Sequence, residues 1–540
     1  MLIPFSTISV FFALSYLSVP AQGSPTYPDA FPEVNLGYAI HVPTSLNKTS
    51  SGLKYANYNN IRFAAPPVGR LRFRKPKLPL KQEGIQNGSV PRFSTDCVSA
   101  IPSFFPDLGL GTRSWGQEDC LFLNVRVPEG VKKGDNVPVL HFIHGSGYVY
   151  GSKDFEGVAP DGTGLYENIH PSSQKFIYVA SNYRMGLFGW SSSPSEDMDA
   201  NIGLHDTKAA LDWTRKYISN FGGDPDRITA MGTSAGAAMI NLLLVAKGGH
   251  EVLPFDQAFM SSPCIWPRRD PARQQAVFDE VLKAANCTSV ACLRAASPEV
   301  LFKVNSFLIT DVGDGSTGAL GPLSGFTPIV DGEYIKDLPP ALLARGSYNR
   351  NMKRVVVGNM ANEGMGLSLD VGMPDSFPAL VRKTMPYADN DTIKRIQSMY
   401  TYPAEQPEKL SWDWTTDMSF ACNAYFTAKA YKNKAQRYIM TVPPATHGLD
   451  QSYFFFHDNV TTPVTDITLA REFQEYVRRF VTGERNQEKF PDLARWPKYG
   501  PGETSFNITL GGFEMQKDYW DINRRCQVLN DIFNDRNNGA

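Results

Sequence analysis

Arg227-Ile228-Thr229-Ala230-Met231-Gly232-Thr233-Ser234-Ala235-Gly236, continuing through Ala237 to Val245, is a short apolar run, a glycine-flanked turn and a helix-forming run in immediate succession. That order reads as a buried strand feeding a helix, with Ser234 on the turn between them. As a bare pattern, Gly-x-Ser-x-Gly occurs in many unrelated loops. Between a strand and a helix it acquires a mechanical meaning: a strained turn lifts the serine hydroxyl out of the sheet, and small flanking residues let neighbouring backbone approach without collision. The helix N-terminus behind the turn supplies amide donors where negative charge would develop. Ser234 is therefore the candidate nucleophile.

Outward from this stretch, similar apolar runs bounded by turn residues recur at Val139 to Ile143, Phe176 to Ala180, Gln257 to Met260, Arg354 to Val357 and Arg437 to Thr441. All read as buried strands. Asn201 to Phe221 lies between two of them, and its Leu204, Ala209, Leu211 and Ile218 keep a helical rhythm. Strand, helix, strand is the order of a parallel sheet, so the expected class is α/β. Near the end, Asp466 is placed to cap a helix carrying Leu469, Phe473, Val477 and Phe480 on one stripe. No internal repeat and no Pro/Gly-rich linker appears, so one large domain over residues 24–540 is the expectation.

The chain has 540 residues, 42% hydrophobic and 20% charged, the balance of a folded globular protein. Its formal charge of -1 leaves no basic surplus for phosphate contacts, which argues against nucleic acid as a partner. Leu2 to Val19 is uncharged and apolar, and Ala21, Gln22 and Gly23 supply the small residues a signal peptidase prefers. Residues 1–23 thus read as a signal peptide. The competing reading is a membrane anchor, for which the run is marginal against the roughly 20 residues a spanning helix needs. No later stretch is apolar enough to cross a bilayer, and Phe533 to Ala540 carries neither a lipid-anchor tail nor an ER-retention tetrapeptide. Release outside the cell is the expectation. In that compartment six Asn-x-Ser/Thr sequons become glycosylation candidates, at Asn47, Asn87, Asn286, Asn390, Asn459 and Asn507. The seven cysteines form no metal-ligand spacing and read as structural crosslinks with one thiol left over, although spacing alone does not choose the pairing.

A second glycine-rich turn, His144-Gly145-Ser146-Gly147-Tyr148, follows the Val139 to Ile143 strand. Its bland reading is a tight loop; its chemical reading is a source of oxyanion donors upstream of the nucleophile. A serine hydroxyl also needs a base, and in this chain order an acid and then a histidine follow the nucleophile. Downstream lie His250, His447 and His457. His250 sits among Lys247, Gly248 and Gly249, which reads as an exposed loop. His457 follows Phe454, Phe455 and Phe456 and reads as a packing or surface position. His447, in a loop directly after the Arg437 to Thr441 strand, is the candidate base.

These residues resemble the type-B carboxylesterases and lipases, a family that includes cholinesterases and the adhesion proteins called neuroligins. The likeness covers nearly the whole chain after the leader. It runs through Arg62-Phe63-Ala64-Ala65-Pro66-Pro67, Arg72-Phe73-Arg74-Lys75-Pro76, Glu118-Asp119-Cys120-Leu121-Phe122-Leu123-Asn124-Val125, Asn201-Ile202-Gly203-Leu204-His205-Asp206, Phe221-Gly222-Gly223-Asp224-Pro225 and the serine turn itself. Gly358-Asn359-Met360-Ala361-Asn362-Glu363-Gly364 is similar to the family's acid loop, and His447-Gly448-Leu449-Asp450 to its histidine loop. The resemblance implies an α/β-hydrolase fold, a large mostly parallel sheet flanked by helices with lid and cap insertions. It implies Ser234 as nucleophile, His447 as general base and then acid, and Glu363 as the carboxylate that orients the imidazole. The residues alone give little reason to prefer Glu363 over Asp370 or Glu333. It further implies Ser146, Gly147 and Ala235 as backbone oxyanion donors, disulfides Cys97 with Cys120, Cys287 with Cys292 and Cys422 with Cys526, a free Cys264, and a buried Arg72–Glu118 ion pair. The motif set is that of a fungal secreted member.

The sequence also departs from parts of that pattern. Cholinesterases carry an acidic residue before the nucleophile and a Trp in the first disulfide loop to hold a quaternary ammonium. Here Thr233 precedes Ser234, and the loop's Trp115 lies close to its closing cysteine, so a choline ester is not the expected substrate. The same loop, with Ile101, Phe104, Phe105 and Leu108 as its apolar part, is short for the lid of a fungal lipase. Ser146 stands where many members carry Gly or Ala, so its side chain either crowds the oxyanion site or adds a hydroxyl donor. The expected activity is hydrolysis of a small-molecule or lipid carboxylic ester through an acyl-enzyme, with no cofactor. Longer-chain lipolysis, acyl transfer to another acceptor, lactone formation, or a non-catalytic adhesion role of neuroligin type are the alternatives.

Overall fold

The structure is a computed structural model that describes residues 31–540 except 92, 104–109, 156–161, 170–172, 312–324, 368–375 and 484–492. The expected leader and the lid residues Phe104, Phe105 and Leu108 lie outside the described residues. The framework is an 11-stranded sheet. In chain order its strands are β1 (Ser45–Lys48), β2 (Lys54–Arg62), β3 (Phe122–Pro128), β4 (Val137–Ile143), β5 (Ile177–Ser181), β6 (Gly223–Thr233), β7 (Gln257–Ser261), β8 (Arg354–Met360), β9 (Ala435–Met440), β10 (Thr504–Thr509) and β11 (Gly512–Lys517). Across the sheet they run β11-β10-β9-β8-β7-β6-β4-β5-β3-β2-β1. The seven from β5 to β10 are parallel to one another, whereas β1 to β3 at one edge and β11 at the other are antiparallel to their neighbours. Each expected strand is present, most with one or two residues added at an end.

The central strands are apolar on both faces because both faces are covered, which is why they read as continuous hydrophobic runs. Successive residues still alternate between two cores. Leu140, Phe142, Met231, Phe259, Val356 and Tyr438 belong to one, and Val139, Ile143, Ala230, Met260, Val357 and Ile439 to the other. The helices that matter for the site are α1 (Ile202–Tyr217), α2 (Ala235–Val245), α3 (Cys422–Tyr431), α4 (Leu449–Phe454), α5 (Ile467–Thr482) and α6 (Arg525–Asn534). Helix α2 is buried along its whole length, as its sequence, apolar at every position but Asn241, requires, and Asn241 Nδ2 donates to Thr427 Oγ1. In α5 the Asp466 carboxylate accepts from Leu469 N at 3.0 Å, the expected cap, and Leu469, Phe473, Val477 and Phe480 are all buried.

The three disulfides are Cys97–Cys120, Cys287–Cys292 and Cys422–Cys526, the last joining α3 to α6, and Cys264 is free and buried. Burial and the neighbouring Glu363 push the Cys264 thiol upward. Of the sequons, Asn47, Asn87, Asn286, Asn390 and Asn459 are exposed. Asn507 is half-buried within β10, its Oδ1 accepting from Thr441 Oγ1 at 2.9 Å.

Candidate active site

The register of the parallel strands places Thr233 beside Ser261, Ser261 beside Gly358, and Gly358 beside Tyr438, a row across the C-terminal ends of β6 to β9. Open α/β sheets bind their ligands at this end. Ser234 follows directly on β6 with φ 57 and ψ -122, a conformation a side chain rarely adopts. The turn is held by Ser234 N donating to Ser261 O at 2.8 Å and by Cys264 N donating to Ser234 O at 3.2 Å. Its glycines are steric necessities. A Cβ on Gly236 would lie 2.1 Å from Ile143 O, and one on Gly232 would lie 2.6 Å from Gly236 C.

His447 sits in the loop after β9, and that loop is tied to the one after β8: Asn362 N donates to Ala445 O at 2.9 Å and Asn362 Nδ2 to Pro444 O at 3.0 Å. The two loops bring together residues far apart in sequence. His447 Nε2 lies 2.9 Å from Ser234 Oγ, and His447 Nδ1 lies 2.5 Å from Glu363 Oε2. A carboxylate only accepts, so Nδ1 carries a proton and Nε2 is free to accept the serine proton. The Phe420 ring packs 4.5 Å from the imidazole. Glu363 is completely buried; its other oxygen, Oε1, accepts from Ser262 Oγ at 2.5 Å and Met360 N at 2.7 Å. Every acceptor direction it uses is therefore fixed by the surrounding chain.

The glycine-rich turn lies beside the serine turn, with a Cβ on Gly145 falling 2.8 Å from Thr233 O. Ser146 and Gly147 both have positive φ, 78 and 59. Tyr183 OH holds the carbonyls of His144 and Gly145, and Tyr148 OH reaches Cys264 O at 2.6 Å. Burial pushes His144 down to about 3, so it is neutral and serves as packing, stacked on Tyr183 with centroids 4.4 Å apart. The Ser146 hydroxyl is enclosed and directed toward Gly151, where a Cβ would come within 3.1 Å of it. Ala235 opens α2, next to Ser234. His250 is exposed, and the His457 imidazole is a surface group beside Asp458.

Sequence reasoning missed three polar residues. Ser261 ends β7, Ser262 follows directly on it, and Asp450 lies in α4; all three are fully buried. Ser262 donates to Glu363, and Ser261 donates to Asp450 Oδ2 at 2.5 Å. Only the fold brings them to the relay; the one signal in the sequence was Asp450, three residues beyond the candidate histidine. Among the described residues no group of His, Cys, Asp and Glu is arranged to hold a metal ion.

Residues 44–523 match the Carboxylesterase family. The chain is 30% identical to carboxylesterase patB of Aspergillus clavatus, over 93% of this chain and 96% of that one. It is 33% identical to a secreted triacylglycerol lipase of Gibberella zeae over 57% of this chain and 55% of the lipase. Its fold follows the crystal structure of Aspergillus niger EstA with a TM-score of 0.76 at 23% identity, across 93% of this chain and 98% of that one. The sheet order, the serine turn and these likenesses agree: this is an α/β-hydrolase fold, and the chain belongs to the carboxylesterase family of ester-hydrolysing enzymes.

Proposed function

We propose that the protein is a secreted serine hydrolase that cleaves carboxylic esters through an acyl-enzyme. The observation that carries the reading is the continuous contact from Ser234 Oγ to His447 Nε2 and from Nδ1 to buried Glu363 Oε2, at 2.9 and 2.5 Å. In this reading His447 takes the Ser234 proton as the hydroxyl attacks the ester carbonyl, and Glu363 holds the imidazole in its productive tautomer while offsetting the charge it acquires. Backbone amides of Ser146, Gly147 and Ala235 receive the oxyanion at the end of β4 and the start of α2. His447 then protonates the departing alkoxide, and a water activated by the same imidazole releases the acid. Six disulfide cysteines and five exposed sequons support an oxidising, secretory destination for residues 24–540 as one catalytic domain, with residues 1–23 as a cleaved leader. Among the described residues no helix is long and apolar enough to cross a membrane.

Thr233 in place of an acidic residue supports neutral esters over choline esters as substrates. The test is steady-state hydrolysis of p-nitrophenyl esters from acetate to palmitate by the purified protein beside Ser234→Ala. Loss of nearly all turnover in the variant is the expected result, and the chain-length optimum separates esterase from lipase. Wild-type turnover no greater than the variant's on every ester overturns the reading.

A further inference from the structure

The mechanism above uses one carboxylate, yet two are buried behind the imidazole. Their placement follows from the strand register. Gly358 stands between Ser261 and Tyr438 in the row across β7 to β9, and a Cβ there would lie 2.1 Å from the Tyr438 ring. Without that side chain the ring lies across Gly358, and its hydroxyl reaches Asp450. Asp450 Oδ2 thus accepts from two hydroxyls, Ser261 Oγ and Tyr438 OH, while Oδ1 has no hydrogen-bond partner. Glu363, one residue pair away through Ser262, is the other carboxylate.

The groups facing Asp450 are few in kind. β7 contributes Ser261, β9 contributes Tyr438, the loop after β8 contributes Glu363 and the loop after β9 contributes His447. Helix α5, packed on α4, offers Phe473 against Phe454, and its buried Glu475 is already paired with Arg478 and Arg479. Among the described residues no lysine or arginine forms an ion pair with Asp450; the cation acting on it is His447 once protonated. Burial pushes the Asp450 carboxyl up to about 6, opposed by the Ser261 and Tyr438 hydroxyls and reinforced by Glu363.

We propose that Asp450 is a positioning residue: a second carboxylate behind the relay, held by Ser261 and Tyr438, whose charge stabilises the imidazolium formed when Ser234 gives up its proton. It touches no substrate and acts through His447. The inference rests on the hydrolase reading of Ser234, His447 and Glu363. It explains why a fully buried acid without a permanent cation is placed near a carboxylate of like charge, an arrangement that costs stability unless a positive charge appears on the neighbouring imidazole.

Asp450→Asn keeps the side-chain shape and the acceptor for both hydroxyls but removes the charge. Steady-state kinetics on p-nitrophenyl butyrate are compared with wild type across about pH 5 to 9. The expected result is kcat lower by about tenfold near pH 8 with KM unchanged, the deficit closing toward pH 5, where wild-type Asp450 is itself neutral. A purely structural role gives a ratio that does not vary with pH, and that result, or no deficit at all, overturns the inference. Tyr438→Phe supplies an independent reading. With one donor to the carboxylate removed, the rise of kcat with pH moves upward by about half a unit, and an unmoved profile again overturns it. Retained turnover in Ser234→Ala sinks the hydrolase reading instead, so the two failures are distinguishable.

Discussion

The Arg72 guanidinium and the Glu118 carboxylate face each other through two parallel bonds, Nε to Oε2 and Nη2 to Oε1, both 2.6 Å long. The two side chains are only 4% and 5% exposed. Nη1 of the same arginine donates to the carbonyls of Leu293, Arg294 and Ala296, just beyond the Cys287–Cys292 disulfide. One guanidinium thus fastens the first disulfide loop to the second.

Breaking that pair leaves a buried cation without its counter-charge. Glu118→Gln is expected to lower the free energy of unfolding by about 3 to 5 kcal/mol while leaving kcat of the folded protein near wild type. Urea midpoints read the first quantity and p-nitrophenyl ester kinetics the second. A fall in kcat at unchanged stability would place Glu118 in the chemistry instead.

Glu363→Gln keeps the shape of the relay but removes its charge and permits the wrong tautomer of His447. A loss in kcat of about 10³ to 10⁴-fold is expected. Ser262→Ala, which leaves the Met360 amide on the same oxygen, should cost only about tenfold. Parallel kinetics on one ester decide whether the two effects separate in this order.

Asp450 predicts a signed dependence of stability on pH. Its folded carboxyl, near 6, binds a proton more tightly than the ordinary carboxyl near 3.8, so its contribution is complete below about pH 4 and is lost as pH rises through 6. The loss amounts to about 3 kcal/mol. Asp450→Asn removes it, so the variant should gain on wild type between about pH 4 and pH 8, as measured by urea midpoints at both ends. A difference that stays constant with pH would show that the carboxyl is not perturbed.

The disulfides should be unequal. Cys422–Cys526 closes a sequence separation of 104 residues and Cys287–Cys292 only 5. By loop entropy alone, removing the first as a double alanine variant should cost about 3 kcal/mol more than removing the second. Because α3 also follows the segment that bears Phe420 against His447, the long-loop variant should lose activity at lower temperature as well.

The parts of this architecture that could be read from sequence are those whose residues carry a local pattern. Val139 to Ile143 and Arg354 to Val357 are continuous apolar runs because two cores cover them, and Gly232 to Gly236 is a turn whose glycines cannot be replaced. Strand β2 escaped notice because Lys54–Arg62 mixes tyrosines with asparagines, and only pairing with β1 and β3 makes it a strand. Ser261, Ser262 and Asp450 escaped for a different reason: each is a small polar residue whose role depends on partners some 100 to 190 positions away. Glu363 was reached through resemblance, since no local feature marks it among the other acids.

Successive residues of a strand point to opposite faces, yet Ser261 and Ser262 both serve the same buried cluster. The left-handed φ of 52 at Ser262 folds the chain back so that both hydroxyls reach it, one for each carboxylate. A single peptide unit therefore wires both acids to the end of β7, whose Ser261 carbonyl also anchors the nucleophile's amide. Neither acid can drift independently during divergence: a substitution that retunes one is felt by the other and by the serine, so changes in this corner of the molecule must arrive together.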